Sequence, residues 1–73
     1  MNTKQYNMLL ISLRENRQAI AGEYMFEIRQ RVGEIYEFAQ IWKGKRTVLH
    51  AGPEQECLEA AREFILMTFA VGD

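Results

Sequence analysis

The chain has 73 residues, 48% of them hydrophobic and 26% charged, with a formal net charge of −1. This length suits one domain, which buries only roughly 60% of the surface its unfolded chain exposes, and the ordinary globular composition argues against disorder and against any need for disulfides or metal. Cys57 is the single cysteine, so an internal bridge is excluded and a reducing cytoplasm is the expected location.

At the N-terminus, Asn2 or Thr3 can cap a helix, with Gln5 three residues after Asn2 completing a capping box. Tyr6, Leu9, Leu10, Leu13 and Ile20 follow at helical spacing, with Asn7, Arg14, Glu15, Arg17 and Gln18 outside the stripe, which predicts a helix over about 3–20. Gly22 is placed to end it. No basic segment leads into an apolar stretch here, so no signal peptide is expected.

The stretch 23–43 satisfies two periods. Tyr24, Phe26, Ile28 and Val32 nearly alternate with polar residues, as in a strand, whereas Met25, Ile28, Val32, Ile35, Ala39 and Trp42 recur at three and four, as in a helix. Strand is favoured for 23–32, with a short helix carrying Glu27 and Arg31 at i,i+4 left open. From 34 to 51 the reading is a hairpin: the aromatic and β-branched IYEFAQIW, a turn at KGK, then TVL.

Gly52 and Pro53 suit the N-cap and first position of a second helix, and Glu54 and Glu56 fall in its first turn, where the helix dipole favours negative charge. That helix is predicted over 53–70, burying Leu58, Ala61, Phe64, Ile65 and either Met67 or Thr68. Its end is apolar almost all round, so either the first helix and the sheet enclose it or one flank is left for a partner or a second copy. The run FILMTFAV at 64–71 is far shorter than the roughly 20 residues a membrane span needs. The predicted fold is α+β and a single domain over 1–73: an N-terminal helix, a small antiparallel sheet of two or three strands with the hairpin at 34–51, and a C-terminal helix.

Little in the chain points to bond-making chemistry. Cys57 lies among Glu54, Glu56 and Glu59, whose negative potential opposes a reactive thiolate, and the lone His50 reads as a hydrogen-bonded structural residue. One cysteine and one histidine are too few for a structural zinc site. Glu54, Glu56, Glu59 and Glu63 read as a solvated helix face rather than paired acids, and GKR lacks the preceding glycine of a phosphate-binding Walker loop. No enzyme activity, cofactor or metal is expected.

Charge is uneven along the chain. Phe38 to Pro53 holds no carboxylate and three bases, while Glu54 to Glu63 holds four carboxylates against Arg62. Trp42, Lys43, Lys45 and Arg46 are therefore the candidate protein-binding residues, because Trp and Arg dominate interface energetics and a rigid hairpin presents them at low entropic cost. Whether Trp42 faces the core or the solvent stays open at this point. Arg14, Arg17, Arg29 and Arg31 could join this surface.

FAQIWKGKRTVLHAG followed by LEAAREFI resembles, in outline, the last hairpin and final helix of the double-stranded-RNA-binding fold. That family grips phosphates with lysines at the start of its last helix, where this chain has Pro53, Glu54, Gln55 and Glu56; three bases would give a salt slope of only about −2.7. Direct nucleic-acid binding is therefore disfavoured. As a whole chain, in length and helix–hairpin–helix outline, the sequence resembles small phage-encoded transcription regulators that bind host RNA polymerase, inhibit initiation and promote antitermination. That resemblance implies a host bacterial cytoplasm, a polymerase subunit as protein partner and a steric mechanism with no cofactor. It carries no residue-by-residue correspondence. Alternatives are an inhibitor of a defence complex, similar to anti-CRISPR proteins, a divergent double-stranded-RNA-binding-like module, and an assembly unit joined through the apolar end of the last helix. The oligomeric expectation is a monomer or weak homodimer without membrane attachment.

Overall fold

In the computed structural model, which describes residues 1–69 and 72, the order is α1 (Thr3–Asn16), β1 (Gln18–Ala21), β2 (Tyr24–Val32), β3 (Ile35–Trp42), β4 (Lys45–Gly52) and α2 (Glu54–Thr68). The four strands form an antiparallel meander in the order β1-β2-β3-β4. The fold is α+β, with four strands instead of the two or three expected.

The additional strand comes out of the predicted first helix. Its start is as expected: the Gln5 amide donates to the Asn2 side chain at 2.8 Å and the Asn2 amide donates to the Gln5 side chain at 3.0 Å. Asn2→Ala removes one of these bonds and is expected to cost about 1 kcal/mol, read as a lower urea midpoint with an unchanged slope. The helix ends early because Arg17 turns left-handed, with φ of 65°. From there Gln18–Ala21 pairs with β2, burying Ala19 and Ala21 and turning Ile20 outward, 71% exposed. Ile20 thus matched the α1 stripe only by spacing. Gly22 serves the tight β1–β2 turn, with φ of 63°, instead of ending a helix.

Residues 24–32 are a strand. The alternation Tyr24, Phe26, Ile28 faces the helices, whereas the rival helical set scatters over both faces: Met25 and Ala39 share the outer face, and Ile28 and Trp42 the inner one. Both helices cover this inner face. Tyr6, Leu9 and Leu13 from α1 and Cys57, Ala61 and Ile65 from α2 close on Ala19, Ala21, Phe26, Ile28 and Phe38. At the centre, Phe26 and Phe38 stack at 5.9 Å, and the Phe64 ring meets them edge-on at 6.0 and 6.1 Å.

Pro53 stands at the N-cap and α2 begins at Glu54. Its buried residues are Cys57, Ala61 and Ile65, with Leu58 and Phe64 half-buried. Neither Met67 nor Thr68 joins them. Two residues beyond Ile65 lies on the far side of a helix, and Met67 is 82% exposed there. Phe69 fills the remaining space, edge-on to Tyr24 at 5.9 Å and Phe26 at 6.0 Å. Ala70, the predicted last residue of the helix, lies outside the described residues. α2 lies beside α1 rather than enclosed by it, and Leu66 and Met67 form an uncovered flank.

Candidate protein-binding site

The β3–β4 connection is the two-residue turn Lys43-Gly44, and both residues have positive φ, 50° and 78°. Such a turn matches the twist of the flanking strands, so the hairpin end is held in one geometry. It fixes Trp42 opposite Lys45 on the inner side of the sheet. Tyr24 is the register partner of Trp42 on β2, and the two rings stack at 5.9 Å with an interplanar angle of 20°. Tyr24 in turn packs on Phe26 and Phe69. Trp42 is therefore neither a core residue nor a free one: one ring face is anchored to the core through Tyr24, and 39% of the residue stays exposed. The Lys43 ammonium sits 4.7 Å from the indole centroid, within cation–π range. Lys45 is exposed beside them.

Arg46 does not join this group. Strand alternation turns it to the outer face, where its guanidinium contacts Glu27 through Nε and donates to Glu37 Oε1 through Nη2 at 3.2 Å. Arg31 Nη1 donates to Glu37 Oε2 at 2.9 Å. The buried Ala39, register partner of Glu27 and two residues from Glu37, is the small residue under this network. Hydrogen bonding from Arg46 holds the Glu37 carboxyl below its ordinary range, with Arg31 adding to the effect, and the bond to Glu27 raises Arg46. A carboxyl depressed on folding stabilises the fold fully above its unfolded pKa of about 4.3. That contribution is lost as pH falls through the lower folded value. Glu37→Gln is therefore expected to make stability less pH-dependent below about pH 4.5, measured by urea unfolding at pH 7, 4.5 and 3; an unchanged slope would remove Glu37 from the acid response.

The other arginines lie elsewhere. Arg17, on the helix side, pairs with Glu54 and lies 5.6 Å from the Tyr36 centroid. Arg29 shares the outer face with Glu37, its register partner on β3. Arg29, Arg31 and Arg46 thus share the outer face around Glu37, apart from Trp42 and Lys45 on the inner side.

The strand aromatics Tyr24, Phe26, Tyr36, Phe38 and Trp42 all project to the helix-covered side, leaving the open face of the sheet without a ring on which a base could stack. The start of α2 is acidic, with Glu54 and Glu56 in its first turn.

Cys57 is fully buried, and burial pushes its thiol up from the ordinary range. His50 differs from expectation: its Nε2 stands 3.6 Å from Glu56 Oε1, beyond hydrogen-bond length, and has no hydrogen-bond partner among the described residues. Among the described residues no three His, Cys, Asp or Glu cluster in a metal-binding arrangement, and no helix is long and apolar enough to cross a membrane.

Three residues of the site escaped the sequence reading. Tyr24 supports Trp42, and Glu27 and Glu37 take Arg46 away. Counting outward from a β2–β3 turn at Gly33-Glu34 pairs position 24 with 43; only the bulge between Gln30 and Val32 shifts the partner to 42, and no local signal in the sequence marks that bulge. Comparison with known proteins yields no match among family models, curated proteins or solved structures.

Proposed function

We propose that this chain is a small non-enzymatic regulator that acts by binding a protein and occupying its surface, with Trp42, Lys43 and Lys45 as the docking group. One observation carries the reading: an indole already braced by Tyr24 and by the Lys43 ammonium, half-open to solvent on a turn of fixed geometry. Such a group loses little conformational freedom on docking, and a large ring beside cations matches the residues that dominate protein interfaces. The whole-chain resemblance to phage transcription regulators makes host RNA polymerase the partner proposed, in a bacterial cytoplasm. On this reading the bound chain hinders engagement of the initiation factor and formation of terminator hairpins by steric exclusion, inhibiting initiation and favouring antitermination. No cofactor takes part in that mechanism.

The test is run-off and terminator read-through transcription with purified bacterial polymerase, with and without the chain. Loss of initiation together with increased read-through, both abolished by a Lys43→Glu and Lys45→Glu double variant, is the expected result. Unchanged transcription, across polymerases from several bacterial hosts and at high excess of the chain, would remove polymerase as the partner.

A further inference from the structure

β1 is one edge of the sheet, and its outward backbone groups are not all used. The Ile28 amide donates to the Arg17 carbonyl at 2.9 Å, which sets the ladder phase: Arg17, Ala19 and Ala21 bond towards β2, and the alternate residues Gln18 and Ile20 turn their N–H and C=O away. The Ser12 hydroxyl of α1 donates to the Gln18 carbonyl at 2.6 Å, in agreement with that phase. Ile20 has no corresponding partner among the described residues. Next to it runs a groove of about 610 Å³ between α1 and β1, walled by Met8, Leu9, Ala19, Ala21, Tyr24 and Phe69. Glu23, in the β1–β2 turn, is the one charged side chain among the described residues that line the groove, and Met1 lines it too.

We propose that this edge takes an extended segment of a partner protein by antiparallel strand addition. The segment hydrogen-bonds to Ile20, seats alternate apolar side chains in the groove, and places a basic residue at its N-terminal end beside Glu23. Each feature constrains the occupant. A small apolar ligand fills the groove but leaves the Ile20 backbone unpaired, whereas a strand supplies both main-chain groups and alternate side chains. Antiparallel pairing continues the existing sheet, and in that direction the N-terminal end of the added segment lies at the Glu23 end of β1, where opposite charge is favoured. The other edge of the same fold is a poor occupant in a second copy, because β4 is irregular between its Val48 and His50 pairings and carries Lys45 and Arg46, devices that oppose edge-to-edge pairing. The inference deepens the protein-binding reading, since Tyr24 belongs both to the groove and to the Trp42 stack. Its test uses no polymerase, so failure of one proposal is distinguishable from failure of the other.

The experiment is titration of the isotope-labelled full chain with the peptide acetyl-Lys-Val-Thr-Val-Thr-Val-amide, followed by amide NMR. The expected dissociation constant is about 0.1–1 mM, with the largest shifts at Ile20, Met8 and Glu23 and slowed exchange of the Ile20 amide. A peptide methylated on alternate backbone nitrogens along the pairing edge should bind at least about tenfold more weakly. Ile20→Pro should do the same with the sheet intact, because this N–H is not used by the β1–β2 ladder; Met8→Glu provides a second variant should the first fail to fold. Absence of any shift at Ile20, or binding indifferent to both peptide methylation and Ile20→Pro, would overturn the proposal. So would shifts of the same signals with protein concentration alone, which would make a second copy the occupant.

Discussion

Phe26→Ala is expected to bring the protein close to unfolding at room temperature. Phe26 is fully buried, stacks on Phe38 and receives the edges of Phe64 and Phe69, so one side chain joins β2, β3, α2 and the segment beyond it. Truncating a phenylalanine in such a place costs about 3–5 kcal/mol, because the lost burial is compounded by a cavity that the neighbours fill only in part. At about 0.05–0.15 kcal/mol per residue, the whole domain has roughly 4–11 kcal/mol to lose. Urea unfolding followed by circular dichroism reads the effect as a midpoint shifted down by a large fraction of its value. A loss below about 1 kcal/mol would mean that the aromatic cluster is not the centre of the core.

The second large effect concerns binding and leaves the fold intact. Trp42→Ala is expected to weaken partner affinity by about 2 kcal/mol or more, roughly 30-fold, which is the scale of an interface anchor. Stability should fall less than for Phe26→Ala, since Trp42 is 39% exposed and the rings beneath it remain packed on one another. Arg46→Ala should show the reverse pattern. It removes the contacts to Glu27 and Glu37 on the far face, costing stability of about 1 kcal/mol after allowance for solvent screening, and leaves affinity unchanged. Surface plasmon resonance against the captured partner, paired with urea unfolding of each variant, separates the two roles. Equal affinity losses for both variants would return Arg46 to the docking group.

How far the sequence could lead depended on whether the signal was local. Capping at Asn2 and Gln5, the Lys43-Gly44 turn and the acidic start of α2 are decided by residues within one turn of each other, and all three were legible. The boundary of α1 was not, because Ile20 continues the helical stripe and only pairing of Gln18–Ala21 with β2 shows that the chain has already left the helix. The same holds for the site. Trp42, Lys43 and Lys45 are grouped by a local turn, but the separation of Arg46 depends on strand alternation and on Glu27, nineteen positions away. The groove beside β1 was invisible for the same reason, since it exists only once that strand is recognised as an edge.

In the proposed function, the braced ring of Trp42 and the lysines Lys43 and Lys45 form the protein-docking surface. Affinity capture from a bacterial lysate, comparing the wild-type chain with a folded Trp42→Ala, Lys43→Glu, Lys45→Glu variant at low salt, tests it most directly. RNA polymerase subunits are expected to be retained by the wild type and lost from the variant, while Arg46→Ala retains them. Equal retention by the wild type and the triple variant, or a wild type that retains no protein above an unrelated control, would contradict it.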